Sequence, residues 1–209
     1  MKKLLILLFS LFFLSSPSVF ADDISDFTIE GIGIGDSLLD YMTEDEILEE
    51  IEKSKDWFYY LKEPKKYSSV TLRKEFPLYN KGISFIVKNN SANQYIGNKN
   101  EKYKILMIRG LIDYDEDFEG CVQKRDEIAE VVSKMFSDAK KVETVFKHGL
   151  DPSGNSIVNS ITLEFDSGDE ANFDCSNWEE NFKIKNNFYN GLSVVINSEE
   201  IVNWSSNYK

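Results

Sequence analysis

The apolar positions Ile47, Leu48 and Ile51 recur at helical spacing, and Thr43 with Glu46 three residues on forms a capping-box pattern, so a helix is predicted from Thr43 to about Lys55. Glu49 and Lys53 add an i,i+4 pair on it. The segment 26–34 before it alternates apolar with polar or small residues and predicts a short entry strand or extended arm, ended by Gly35-Asp36-Ser37 and a helical turn through Leu38, Leu39 and Met42. After Pro64 the period changes. β-branched and aromatic runs bounded by turn residues predict strands over 67–73, 82–88 and 102–112. A second helix is predicted over 116–136, with Phe118, Cys121, Val122, Arg125, Ile128, Ala129, Val132, Met135 and Phe136 along one face. Strands resume at 141–147, 156–165, 170–175 and 191–197, separated by turns at 151–155 and 166–169, and 198–204 ends the pattern in one or two helical turns.

The order is helix, three strands, helix, three or four strands. Strands follow one another directly, whereas a doubly wound sheet needs helices between most of them. The expectation is therefore an α+β fold with a mainly antiparallel sheet and two principal helices. It forms a single domain over 22–209, divisible into two αβββ halves, 22–112 and 113–209.

The first residues change what the rest can do. Lys2 and Lys3, the apolar run from Leu4 to Leu14 broken only by Ser10, and the exit Ser15-Ser16-Pro17-Ser18-Val19-Phe20-Ala21 have the three regions of a secretory signal peptide, with the cut expected after Ala21. Its apolar core, about 11 residues, is short of the roughly 20 needed to span a bilayer. No membrane span is expected after cleavage, and Asp22 stands where a lipoprotein would carry its acylated Cys. The expected location is the periplasm or the exterior. There Cys121 and Cys175, the only cysteines, are expected to form one structural disulfide. The formal charge is −12, or −14 once Lys2 and Lys3 are removed, and such a surface repels phosphate backbones. Nucleic-acid binding is excluded on that ground.

Each candidate for chemistry meets a plainer explanation. Gly31-Ile32-Gly33-Ile34-Gly35 lies where a dinucleotide loop would, but Asp36 fills the place that needs a small residue, so no cofactor is expected. Asp113, Asp115 and Asp117 have calcium-loop spacing, yet Phe118 and Lys124 replace the Gly and Glu an EF-hand requires. They remain a weak calcium candidate beside the reading in which they favour a helix N-terminus. His148 is the only histidine, and no Gly-x-Ser-x-Gly elbow presents a serine to it, so it reads as a surface residue at a strand end. Glu44, Asp45, Glu46, Glu49 and Glu50 read as the wet face of the first helix. Trp57, Tyr59, Trp178 and Trp204 are the candidate ligand-facing aromatics, because aromatic platforms bind sugars and peptides; the plainer reading is that they pack in the core, since strands are rich in such residues.

The signal, the Asn-, Lys- and Ile-rich composition and the stretch Ile32-Gly33-Ile34-Gly35-Asp36-Ser37-Leu38-Leu39 together resemble small secreted proteins of unknown function from AT-rich marine alphaproteobacteria. That resemblance implies export and supplies no activity. The function expected from the sequence is a non-enzymatic periplasmic binding or interaction module for a protein or small ligand of the envelope. The alternative is a hydrolase acting on an envelope or extracellular polymer, with acids or His148 as its acid and base.

Overall fold

The computed structural model describes residues 24–55, 66–88 and 101–207. The expected signal peptide, Trp57 and Tyr59 lie outside the described residues. Within them the chain is α+β: helices α1 (Glu44–Ser54), α2 (Phe118–Met135), α3 (Glu180–Asn186) and α4 (Glu199–Ser206) accompany strands β1 (Tyr67–Leu72), β2 (Ile83–Lys88), β3 (Ile105–Asp113), β4 (Lys140–Lys147), β5 (Ile157–Glu164), β6 (Glu170–Asn177) and β7 (Gly191–Asn197). All seven strands join one antiparallel sheet in the order β1-β2-β3-β7-β6-β5-β4. Two meanders, β1–β3 and β4–β6, thus lie side by side, and the last strand is inserted between them. The expected halves meet at the β3–β7 pair inside one continuous sheet.

One face of the sheet carries the main core. Phe85 on β2, Ile108 on β3, Val194 and Ile196 on β7, Phe173 on β6 and Leu163 on β5 are fully buried there. Burying such a side chain contributes about 1.5–3 kcal/mol. α2 lies over β5, β6 and β7, and α1 lies against β1. Cys121 on α2 and Cys175 on β6 are bonded, with Cα atoms 6.0 Å apart and neither residue exposed. The expected bridge therefore staples the long helix to the sheet.

Local chemistry accounts for the helix ends. Thr43 and Glu46 form the full capping box of α1, each side chain accepting the other's backbone N–H. Asp117 caps α2 by accepting the Gly120 N–H at 2.8 Å, which starts that helix at Phe118, two residues later than expected.

Three expectations need correction. The 26–34 segment is no strand. Ile24–Asp26 forms a 3-10 turn, and Ile29 pairs only with Ile32 across a tight turn in which Glu30 and Gly31 both have positive φ. Its Ile29 and Ile32 are buried all the same, as is Ile24 just before it, and the buried pair is why the alternation resembled a strand. α3 was not foreseen. Glu50 does not belong to a wet helix face: it is buried, 3.0 Å from the Lys53 ammonium and 3.5 Å from the Arg73 guanidinium.

Gly110, in the middle of β3, leaves room for a buried tyrosine. A Cβ there would stand 2.3 Å from the ring of Tyr79. Gly110→Ala is expected to displace that ring at a cost of about 1–3 kcal/mol, as overpacking does. The check is a urea titration, in which the midpoint should fall with the slope unchanged.

Candidate functional site

The second face of the sheet is built differently on its two sides. Over the first meander it is apolar: Tyr67, Ile86, Leu106 and Ile201 form a small core, joined by Met107 and Trp204. α4 lies on this face against β3 and β7. Trp204 packs edge-on to Tyr67, with ring centroids 4.7 Å apart. Glu200 of α4 ties three groups from β1, β2 and the residue before β1, accepting from the Tyr67 hydroxyl at 2.7 Å and facing Lys88 at 2.7 Å and Lys66 at 3.1 Å. Burial opposes its ionisation, but those hydrogen bonds outweigh burial and hold the carboxyl down at about 2. Trp204 is thus a fastener for α4.

Over β7, β6 and β5 the same face is polar. Period-2 alternation sends Ala171, Phe173 and Cys175 into the core and Asn172, Asp174 and Ser176 to the other side. The register sets Ser193, Asp174 and Ser160 in one row across three strands, and Val195, Asn172 and Thr162 in the next. These side chains bond to one another. The Arg109 Nε donates to Ser193 Oγ at 2.6 Å, Ser160 Oγ donates to Asp174 at 2.5 Å, Asn172 donates to Thr162 Oγ1 at 3.0 Å, and Asn197 donates to Asn172 at 2.9 Å. Burial pushes the Asp174 carboxyl above its ordinary range, while the Ser160 hydrogen bond and the charges of Arg109 and Arg125 pull the other way. The helix packed extensively against β5 and β6 among the described residues is α2, on the core face; on this side Ser160 and Ser193 are buried, while Asn172 and Thr162 are partly exposed. A hydrogen-bonding surface three strands wide results, with Arg109 at its inner border.

One end of this surface is closed by an aromatic stack. His148, just past β4, lies 4.1 Å from Trp178, measured between ring centroids. Trp178 in turn contacts Phe188 at 4.6 Å and Phe182 of α3 at 5.7 Å. The ring of Trp178 therefore holds α3 and its flanking loop against the end of the sheet. His148 is not the surface residue expected. It is half-buried, and its Nδ1 accepts the Leu150 N–H at 3.2 Å. Burial first, and the Arg109 charge second, lower its pKa below the usual 6.5, with Asp151 opposing.

The consequence for stability follows from linkage. The unfolded chain takes up this proton near pH 6.5 and the folded chain only at lower pH, so the contribution is complete above about 6.5 and is lost as pH falls below it. Between pH 7.5 and pH 5 the melting temperature is expected to fall by about 1–3 °C on this account. His148→Gln should remove most of that decline, as thermal melts of the two proteins at both pH values will show.

Among the described residues no hydrolytic triad is assembled around His148. Asp151 is spent inside the β4–β5 loop. It accepts from the Ser153 N–H and hydroxyl at 2.9 and 2.8 Å, and from those of Ser156 at 2.9 and 2.7 Å. Burial opposes ionisation there, but these four bonds prevail and hold its carboxyl well below the usual range. Among the described residues no hydrogen bond joins His148 to a serine or carboxylate side chain.

The other candidates are dispersed. Asp113 faces Lys81 at 2.7 Å, Asp115 faces Lys183 at 2.8 Å, and Asp117 is the α2 cap. Among the described residues no three His, Cys, Asp or Glu side chains converge as metal ligands. The glycine-rich loop is filled from within, because the Asp36 carboxylate accepts the Gly33 N–H at 2.9 Å and the Tyr41 hydroxyl at 2.7 Å. A shallow cleft between α1 and β1, lined by Glu46, Glu49, Glu50, Arg73 and Lys74 among others, is strongly charged. Compared with protein-family models, curated proteins and solved structures, the chain shows no significant match to any of them.

Proposed function

We propose that the chain is an exported, non-enzymatic binding or interaction module, and that the polar face of β5, β6 and β7 is the surface with which it engages a protein or small ligand of the cell envelope. The observation that carries this reading is the unequal cover of the sheet. One face is covered by α1 and α2 and the other, against β3 and β7, by α4, while on β5 and β6 the polar side chains of Thr162 and Asn172 stay partly exposed. Asn172, Thr162 and Asn197, all partly exposed, offer amide and hydroxyl groups in fixed positions, the kind of group that orients a polar ligand. The signal-like start of the sequence and the Cys121–Cys175 bridge support placing the module in an oxidising compartment. Among the described residues no helix is long and apolar enough to cross a membrane. Thermal-shift screening against envelope proteins, glycans and metabolites tests the reading. A ligand that raises the melting temperature of the native protein but not of Thr162→Arg/Asn172→Arg supports it, and the absence of any such ligand or partner counts against it.

The hydrolase alternative has one observation in its favour, the largely buried Asp174 carboxyl held above its ordinary range between Ser160 and Ser193. Turnover of an envelope polymer that is abolished by Asp174→Asn or His148→Ala would establish it. Turnover unaffected by both, or none, removes it.

A further inference from the structure

β4 ends the sheet, and among the described residues no strand pairs with its outer edge. Every residue of it except Val142 is exposed, Val145 and Phe146 by 67% and 47%. An edge of this length with exposed apolar side chains is a template for another strand. The phase of its hydrogen bonding is fixed by His148, whose N–H donates inwards to the Ser156 carbonyl at 2.9 Å. Alternation then turns the backbone groups of Glu143, Val145 and Lys147 outwards, on the side away from β5.

We propose that the protein forms a two-fold dimer in which β4 pairs antiparallel with β4 of a second copy, centred on Val145. A two-fold axis normal to the sheet keeps like faces together, so only registers that set odd positions opposite odd ones arise. Centred on Val145, the pairing places Glu143 opposite the second copy's Lys147 and Lys147 opposite its Glu143, with valine opposite valine between them. Thr144 falls opposite Phe146 on the other face. The outward backbone groups of these residues exchange about six hydrogen bonds. Neighbouring registers are worse: centring on Glu143 sets that acid against itself, and centring on Thr144 sets Lys141 against Lys147. Centring on Val142 uses only an attraction between Lys141 and Glu143 that each strand already makes at 2.6 Å. The charges thus select one register of self-pairing.

Sedimentation velocity of the purified protein at physiological salt, across a range of concentrations, tests the proposal. The native protein is expected to dimerise. Lys147→Glu and Glu143→Lys each place like charges opposite one another at two sites and should weaken the dimer about tenfold or more. The double variant Glu143→Lys/Lys147→Glu restores both attractions and should restore the dimer. Circular dichroism confirms that each variant is folded, as expected for side chains at an exposed edge. A native protein that stays monomeric, a dimer indifferent to both single reversals, or a double variant that does not recover would each overturn the proposal.

Discussion

Replacing Cys121 and Cys175 together by alanine is expected to lower the unfolding free energy by about 4 kcal/mol. The bridge spans 54 residues, and closing a loop of that size removes on the order of 4 kcal/mol of chain entropy from the unfolded state. Its position raises the stake. Cys121 lies in the first turn of α2 and Cys175 on β6, next to the inserted strand β7, so the bridge pins the longest of the described helices across the part of the sheet where the two meanders meet. Both residues are fully buried, and alanine in their place adds no polar atom to the core. Guanidinium titration of the native, reduced and doubly substituted proteins measures the effect. Reduced and substituted proteins should lose similar amounts; a change below about 1 kcal/mol would mean that the unfolded chain is already constrained in that loop.

Phe173→Ala should cost about 3–5 kcal/mol, the range found when a buried aromatic side chain is truncated. Phe173 is fully buried on β6, and its ring begins a chain of aromatic contacts: 6.4 Å to Phe27, a further 6.4 Å from Phe27 to Phe136, and 5.1 Å from Phe136 to Phe165. Those four rings join the sheet to the N-terminal segment, the C-terminal end of α2 and the end of the β5–β6 hairpin. Deleting the first leaves a void that strands and helix cannot close by moving a single side chain. Phe173→Leu keeps most of the volume and should cost about a third as much. Urea titration of both variants separates a cavity, for which the alanine change is much the larger, from lost aromatic contact, for which the two would be alike.

What could be read from the residues is what local chemistry decides. Thr43 and Glu46 announced the start of α1, Asp166 to Asp169 marked the β5–β6 turn, and two cysteines left one pairing. α3 escaped because its seven residues carry no apolar stripe: Ile184 is 71% exposed, and the helix is held by its Glu179 cap and by Phe182 against Trp178. The insertion of β7 between β3 and β6 is a non-local pairing that no short window of sequence encodes. The polar face was partly visible. Asn172, Asp174 and Ser176 alternate with Ala171, Phe173 and Cys175. Arg109 sits alone among apolar residues of β3, but nothing along the chain tells that Ser193, Asp174 and Ser160 share a row. Of the aromatics, Trp178 and Trp204 pack against elements of the protein itself. A tryptophan's large apolar area serves a fold as readily as a ligand.

The open face and the strand edge are separable surfaces, and the substitutions assigned to each leave the other intact. Thr162 and Asn172 lie on β5 and β6, whereas Glu143 and Lys147 border the outer edge of β4. Loss of dimerisation with ligand binding retained, and the reverse, are therefore both observable.

The most direct test of the central claim compares what the native protein and the Thr162→Arg/Asn172→Arg variant each retain from an envelope extract, with both shown to be folded by circular dichroism. A component held by the native protein and lost by the variant is the result expected of a recognition surface on β5, β6 and β7. Retention of the same components by both proteins would contradict it.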